Sequence, residues 1–207
     1  MTTTTGAGQG LPDGLRERKK ARTRASLREH ALRLFREQGY QATTVEQIAA
    51  AAEVSPSTFF RYFPTKEDVV LRDDMDTRMM AALERQPAGL GPITAARAAA
   101  REVFGSYSEA DLELIQENMA LTLSVPEVRA RALDEFARTI AVMGGALAKR
   151  AGRPEDDLAV RATAGAIIGV IMSITMPWDG WSDRQTIEGT FGRIDQALAL
   201  LEAGLPL

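Results

Sequence analysis

The side chains best suited to chemistry lie in a short polar and aromatic stretch near residue 60. Ser57, Thr58, Arg61 and Tyr62 carry hydrogen-bonding groups, and their spacing places them on one side of a short helix. Side chains of these types bind base edges and phosphates of nucleic acids. The pattern therefore indicates a surface that binds a polyanion, and not a catalytic centre.

Most enzyme classes are disfavoured by what the composition lacks. The chain has no cysteine and a single histidine, His30, so a Ser-His-Asp triad would have to use that residue alone. Neither a P-loop nor a dinucleotide fingerprint is present. Asp73, Asp74 and Asp76 resemble a metal cluster, but neighbouring helix positions point in different directions, so a solvated surface is the better interpretation. We expect no metal and no cofactor.

Charge is divided unevenly along the chain. Residues 15–66 hold eleven basic and five acidic residues, a net of +6, and residues 67–207 hold a net of −8, although the whole chain is only −3. A basic first third on an acidic remainder favours a polyanionic partner at one end. The run 16–24, just ahead of the first predicted helix core, favours phosphate contact, the alternative being a solvated face.

The N-terminal segment and the apolar stretches predict a soluble, cytoplasmic protein. Residues 1–14 are rich in Thr and Gly, lack the apolar core of a signal peptide, and indicate a flexible arm. The longest uncharged stretch, 162–176, is shorter than the ~20 apolar residues of a membrane span.

Helical periodicity predicts an all-α fold of about nine helices. Leu27, Ala31, Leu34 and Phe35 form an apolar stripe on a basic first helix that Gly39 ends. A short second helix follows Thr43 and Thr44, either of which can form a capping box. A third spans 56–63, and a longer fourth runs from 66 to about 85. The remaining helices are predicted at roughly 93–106, 109–123, 126–151, 155–176 and 184–203.

Residues 44–63 have the architecture of a helix-turn-helix. Alanines 49–52 keep its first helix thin, Val54 is the apolar residue of the turn, and Phe59 and Phe63 anchor the second helix. This arrangement leaves the polar set near residue 60 facing outward. Lys66 adds a cation at a helix start suited to a phosphate.

The run LFREQGYQATTVEQIAAAAEVSPSTFFRYFPTKEDVV, residues 34–70, resembles the DNA-binding segment of the tetracycline-repressor (TetR) family of bacterial regulators. It departs from the family pattern where Glu53 and Ser57 replace glycines and where Phe60 replaces a tyrosine. The resemblance implies a three-helix DNA-binding domain, here 15–66 (family-type extent about 21–81), and a helical ligand-binding and dimerisation domain, here 67–207.

The resemblance also implies the partners. Two recognition helices of a homodimer would enter successive major grooves of a pseudo-palindromic double-stranded DNA operator. Arg61 is predicted to read a base, and Tyr62 and Lys66 to contact phosphates. The predicted DNA-binding residues are Arg22, Arg24, Thr44, Ser55, Pro56, Ser57, Thr58, Phe60, Arg61, Tyr62 and Lys66.

Two sites are predicted in the C-terminal domain. The apolar stripe of the last helix can be an intrachain core, but the resemblance favours a four-helix bundle with a second subunit. The predicted interface residues are Gly165, Gly169, Ile187, Phe191, Ile194, Leu198 and Leu201. The candidate pocket residues, which as a group can equally be core, are Phe104, Tyr107, Met119, Leu123, Phe136, Ile140, Met143 and Trp178. Their polar neighbours are Tyr107, Asn118 and Thr175.

These residues favour a repressor released from DNA by a small, largely hydrophobic effector, neutral or with one polar end. A lipid-like or acyl-type metabolite, an aromatic natural product and a hydrophobic drug all satisfy the pattern. Highly charged ligands fit poorly, since the candidates include no lysine or arginine. The alternatives are a regulator of the same fold without a small-molecule ligand, and an enzyme using carboxylates alone.

Overall fold

The computed structural model describes residues 13–71, 75–176 and 186–206. Within these ranges the chain forms ten α-helices and no β-strand. The helices are α1 (Asp13–Gln38), α2 (Val45–Ala51), α3 (Pro56–Tyr62), α4 (Glu67–Leu71), α5 (Met75–Arg85), α6 (Pro92–Phe104), α7 (Glu109–Ser124), α8 (Pro126–Ala151), α9 (Leu158–Thr175) and α10 (Ile187–Glu202). The predicted all-α fold is confirmed, and the predicted helix 66–85 corresponds to α4 and α5.

The chain divides into two compact units, residues 1–69 and 70–207. The boundary falls inside α4, three residues after the one predicted at 66/67. In the first unit, the core is formed by the inner faces of α1, α2 and α3. Leu27, Ala31, Ile48, Phe59 and Phe63 are fully buried there.

Two side-chain caps fix the ends of the short helices in the first unit. The Thr44 hydroxyl accepts a hydrogen bond from the Gln47 N–H (3.2 Å), and the Gln47 side chain accepts one from the Thr44 N–H (2.9 Å). Of the two capping boxes that the sequence allows, the structure therefore uses the one from Thr44. Ser55 caps α3 by accepting from the Thr58 N–H, and Pro56 occupies the first turn of α3, where no amide hydrogen is needed.

The second unit is built around α9, which is the most apolar helix of the described chain. Its buried positions Val160, Ala164, Ile167 and Ile168 follow a helical stripe and pack on α8 and α10. Length and composition alone would also allow α9 to cross a membrane, with a mean hydropathy of 1.8 and 22% of the helix buried. The stripe indicates a core helix whose opposite face is left open.

An ion-pair network joins α6 to α10 in the same unit. The Arg97 guanidinium donates to both carboxylate oxygens of Asp195, at 3.0 and 3.1 Å, and to Glu202 at 2.9 Å. Hydrogen bonding by Arg97 lowers the pKa of Asp195, and hydrogen bonds from Thr94 and then Arg97 lower the pKa of Glu202. The network holds the C-terminal helix against α6.

Candidate nucleic-acid interface and ligand cavity

The outward face of α3 carries the polar residues that the sequence predicted there. Phe59 and Phe63 are fully buried, and they hold the helix against α1 and α2. Ser57 and Arg61 are exposed, Thr58 and Tyr62 are partly buried, and Phe60 is 51% exposed. The anchoring phenylalanines thus fix which side of α3 faces solvent.

Three hydroxyl groups meet at the start of α3. The Ser55 Oγ lies 2.9 Å from the Ser57 Oγ and 3.0 Å from the Thr58 Oγ1. Because each hydroxyl also has lone pairs and a rotatable proton, the cluster can both donate to and accept from a ligand at this edge. Thr44 and Pro56 are exposed as well.

Arginines of this unit lie against aromatic rings. The Arg61 guanidinium carbon is 5.4 Å from the centroid of the Tyr62 ring. The Arg24 guanidinium carbon is 5.4 Å from the centroid of Phe63, and both Arg22 and Arg24 are exposed on α1. Stacking on a ring restricts the rotamers of a guanidinium and leaves its N–H donors at the edge available.

Lys66 has a structural role that the sequence did not predict. Its ammonium donates to the backbone carbonyls of Tyr40 (2.9 Å) and Thr43 (3.0 Å) and lies 4.0 Å from the Tyr40 ring centroid. Lys66 therefore ties the start of α4 to the turn between α1 and α2. An ammonium has three donors, so the predicted phosphate contact would use the third.

A second link joins the same two segments. The Tyr40 hydroxyl donates a 2.6 Å hydrogen bond to the Glu67 Oε1. Burial raises the pKa of Glu67, but hydrogen bonds from Tyr40, its own backbone and Thr65 outweigh burial, and the net pKa is lowered. Glu67 thus stays ionised beside Lys66. The α1–α2 turn is therefore bonded to both Lys66 and Glu67.

The turn of the helix-turn-helix contains a strained residue. Glu53 has φ = 54°, in the left-handed region that glycine adopts without cost. Glu53 replaces a glycine of the family pattern. The positive φ at this position explains why glycine is suited to it.

The second unit contains a partly open cavity of about 320 Å³. Of the predicted pocket residues, five line it: Phe104, Met119, Leu123, Phe136 and Met143. The polar neighbours Asn118 and Thr175 line it as well.

Two predicted pocket residues lie elsewhere, and a third is outside the described residues. Tyr107 is not among the lining residues; it packs edge-on to Phe104 at 5.9 Å, and the Arg78 guanidinium lies over its ring at 4.4 Å. Ile140 is not among the lining residues and packs against the core of the second unit instead. Trp178 falls on residues that the structure does not describe.

Several lining residues were missed by the sequence analysis. Six of the eight methionines of the chain border the cavity, namely Met75, Met79, Met80, Met119, Met143 and Met176. On α8, Glu135 and Thr139 also line it. Glu135, Thr139 and Met143 are four residues apart, so helical spacing from Met143 could have identified the other two. Their polarity suggested a solvent-facing position instead.

The apolar stripe of α10 packs within the subunit, which differs from the prediction that it forms the intersubunit surface. Ile187, Ile194 and Leu198 are buried in a single chain. Phe191 stacks on Phe104 with a centroid distance of 3.8 Å and lines the cavity, and Leu201 packs against the core. A single subunit already provides apolar partners for this face, as in the intrachain alternative, and the contact of these residues with a second subunit stays a prediction.

Gly165 and Gly169, unlike the apolar stripe of α10, are not covered by side chains of their own subunit. A Cβ built on either glycine meets no atom within 4 Å, other than the helix's own backbone and the neighbouring residues. They lie on the side of α9 that is not packed on α8 and α10, and Gly169 is exposed.

Comparisons with known proteins agree with this architecture. Residues 27–72 match the profile of "Bacterial regulatory proteins, tetR family", and residues 90–206 match that of the "MftR C-terminal domain". The HTH-type transcriptional regulator TcmR of Streptomyces glaucescens is 43% identical over 139 residues, which are 66% of this chain and 62% of TcmR. The mycofactocin biosynthesis regulator MftR of Mycobacterium tuberculosis is 24% identical over 163 residues, 78% of this chain and 82% of that protein.

Solved structures show the same fold. The TetR-family repressor FadR of Thermus thermophilus, solved with lauroyl-CoA, has a TM-score of 0.53 at 25% identity and covers 89% of this chain and 95% of its own. A TetR-family regulator from Syntrophomonas wolfei has a TM-score of 0.59 at 18% identity, covering 91% and 98%. Since the C-terminal profile alone covers more than half of the residues, the chain belongs to the TetR family of DNA-binding transcriptional regulators.

Proposed function

We propose that this protein is a homodimeric, cytoplasmic repressor that a small hydrophobic ligand releases from a pseudo-palindromic operator. The observation that carries the ligand response is the cavity of about 320 Å³ in the second unit, which lies in the size range of small-molecule sites.

The lining supports a hydrophobic and adaptable site. Aromatic side chains from α6, α8 and α10 (Phe104, Phe136 and Phe191) supply flat apolar surface, and the methionines supply flexible thioethers that adjust to ligand shape. The T. thermophilus FadR structure, solved with lauroyl-CoA, provides a family precedent for a ligand that carries an acyl chain, although that ligand also has a charged coenzyme A portion.

DNA binding is assigned to the exposed face of α3 and the exposed basic side chains of α1. Arg61 is proposed to read a base edge, because a guanidinium restrained by Tyr62 presents a bidentate fork. The hydroxyls of Ser57, Thr58 and Tyr62 and the cations of Arg22 and Arg24 are proposed to contact phosphates. Thr44, Ser55, Pro56 and Phe60 border the same surface.

The chain itself links the two activities. Lys66 at the start of α4 is bonded to the α1–α2 turn of the DNA-binding unit, whereas Val70 and Leu71 at the end of α4 line the cavity. A ligand that binds better to one position of α4 would therefore shift the DNA-binding unit, with typical coupling of about 1–3 kcal/mol.

Dimerisation is assigned to the open faces of α9 and α10. Ala162, Gly165 and Gly169 on α9 and Gly192 on α10 lie on sides that the subunit leaves uncovered, and small residues allow helix backbones to approach closely. Only 22% of the residues of the apolar helix α9 are buried in the single chain. A second copy of the chain packed on α9 would remove more of its apolar surface from water.

The test is operator release. A thermal-shift screen of hydrophobic metabolites identifies stabilising compounds, and each is then titrated into a gel-shift assay with the operator. Release by a stabilising compound, lost in Phe136→Ala and in Met143→Ala, supports the proposal. The control is Ala130→Gly, which lies on an exposed position of α8. If no stabilising compound releases the DNA, the alternative of a ligand-independent regulator is favoured.

A further inference from the structure

We propose that the cavity selects hydrophobic ligands that carry a hydrogen-bond donor, and that Glu135 is the residue that accepts it. This inference rests on the proposed ligand-binding role of the second unit. It concerns the polar atoms of the cavity lining, of which the sequence predicted those of Asn118 and Thr175.

Glu135 supplies a buried acceptor without a partner. Its Oε2 is buried and forms no hydrogen bond with the residues that the structure describes, whereas Oε1 lies 3.7 Å from the exposed Arg138 one helical turn away. A buried carboxylate oxygen without a donor costs free energy that a ligand donor would recover. One side of the carboxylate is thus paired at the surface, and the other is left open.

The threonines of the lining are acceptors as well. Each of the four hydroxyls already donates its only proton to the backbone carbonyl four residues earlier, at distances of 2.8–3.1 Å. The pairs are Thr122 to Asn118, Thr139 to Glu135, Thr175 to Ile171, and Thr190 to Thr186. A carbonyl can only accept, so the hydroxyl proton is committed and only lone pairs remain for a ligand.

Donors are scarce in the same lining. Among its described residues, the Asn118 amide is the one side chain with strong N–H donors outside those committed hydroxyls, and no lysine, arginine or histidine takes part. Asp76, at an exposed position, adds a second carboxylate. The polar chemistry of the cavity is therefore strongly biased towards accepting hydrogen bonds.

This bias defines the ligand class. A hydroxyl, an N–H or an ammonium on an apolar body would bond to Glu135, whereas a carboxylate or a phosphate would meet oxygen lone pairs and a negative charge. A charge-assisted bond to the buried carboxylate favours a donor-bearing ligand by about tenfold over an equal-sized ligand without a donor.

The experiment measures Kd by calorimetry on the full chain without DNA, using three naphthalene probes of similar size. 1-Naphthol carries a neutral donor, 1-naphthylmethylamine a cationic donor, and 1-methoxynaphthalene no donor. We expect both donor probes to bind the wild type about tenfold more tightly than the methoxy compound. The tighter of the two donor probes shows whether the natural ligand is a neutral donor or a cation.

Variants assign the preference to Glu135. Glu135→Gln, which keeps a weaker neutral acceptor, is expected to reduce the preference to about threefold, and Glu135→Leu is expected to abolish it. The matched control is Asp134→Asn, which removes the same charge one residue away at a side chain that is 76% exposed, and it should keep the wild-type preference.

Three results would overturn the inference. They are equal binding of 1-naphthol and 1-methoxynaphthalene to the wild type, an unchanged preference in Glu135→Leu, and a failure of all three probes to bind. Since the assay contains no DNA, a failure of operator release leaves this result untouched and counts against the proposed function alone.

Discussion

The Lys66 ammonium lies 4.0 Å from the centroid of the Tyr40 ring and donates a 2.9 Å hydrogen bond to the Tyr40 carbonyl. Lys66, which is predicted to contact DNA, therefore also connects the start of α4 to the turn that precedes the helix-turn-helix. The two roles use different N–H groups of one ammonium, and they can be separated by experiment.

Lys66→Met should affect stability and DNA binding together. Loss of two charge-assisted hydrogen bonds is expected to lower the free energy of unfolding by about 1–3 kcal/mol. If the third donor contacts a phosphate, the slope of log K against log salt concentration should also fall by about one unit. Denaturant unfolding and binding isotherms at several salt concentrations measure the two effects.

Arg22→Met is the matched control for Lys66→Met. Arg22 is exposed on α1, so its replacement should reduce the salt slope without changing stability by more than about 0.5 kcal/mol. An unchanged slope in Lys66→Met would remove Lys66 from the DNA interface and leave its structural role alone.

Arg61→Ala should reduce specificity more than general affinity. Removing a bidentate contact to a base is expected to weaken operator binding by about 1–3 kcal/mol while random duplex is bound almost as before. Competition gel shifts with both duplexes measure the difference. Arg33→Ala, an exposed arginine 3.0 Å from Glu37, is the control. Equal losses on both duplexes would place Arg61 on the backbone of the DNA.

Glu53→Gly should stabilise the DNA-binding unit. Glycine relieves the left-handed strain at φ = 54°, and the relief exceeds its entropy cost, so we expect a gain of about 0.5–1 kcal/mol. Thermal unfolding measures it. Glu46→Gly, an exposed residue inside α2, should instead destabilise by about 1 kcal/mol. A loss of stability in Glu53→Gly would show that the turn is held by contacts of the Glu53 side chain.

Local signals explain why so much of the fold could be predicted. The bounds of the last five helices agree with the sequence to within three residues, because caps such as Ser108 and breaks such as Gly152 and Pro126 act within a few residues. The exposed face of α3 was predictable for the same reason, since Phe59 and Phe63 fix its orientation by spacing alone.

The features that were not predicted depend on contacts between residues that lie far apart in the sequence or on different helices. The periodicity of α10 shows that it buries a face but cannot say against which chain, and Phe191 turned out to stack on Phe104 of the same subunit. Glu135 was missed because residue type indicated solvent, whereas the packing of α8 turns its Oε2 inward. The bonds from Lys66 to the α1–α2 turn were not predicted, because Tyr40 and Thr43 lie far from Lys66 in sequence.

Gly169→Glu should prevent dimerisation without unfolding the subunit. A side chain added at Gly169 meets no atom of its own chain within 4 Å apart from the adjoining helix backbone and neighbours, so the monomer tolerates it. In a close helix–helix interface, the added charge would have to be desolvated. Sedimentation should therefore show monomers for Gly169→Glu and dimers for the control Ala130→Glu, which adds a charge to the exposed side of α8. A dimer in both variants would move the interface away from α9.

Asp195→Asn should weaken the loss of stability at acidic pH. Hydrogen bonding by Arg97 lowers the pKa of Asp195 in the folded state, so the stabilisation is complete above the ordinary aspartate pKa of about 3.9 and is lost as the pH falls through the lower folded value. Glu202 acts in the same direction. Urea unfolding between about pH 5 and pH 3 should show a steep decline for the wild type and a shallower one, from a lower starting stability, for Asp195→Asn. The control is Asp134→Asn, whose side chain is 76% exposed and 3.8 Å from Arg131 and should follow the wild type. Parallel curves for the wild type and Asp195→Asn would show that the α6–α10 ion pairs do not govern acid stability.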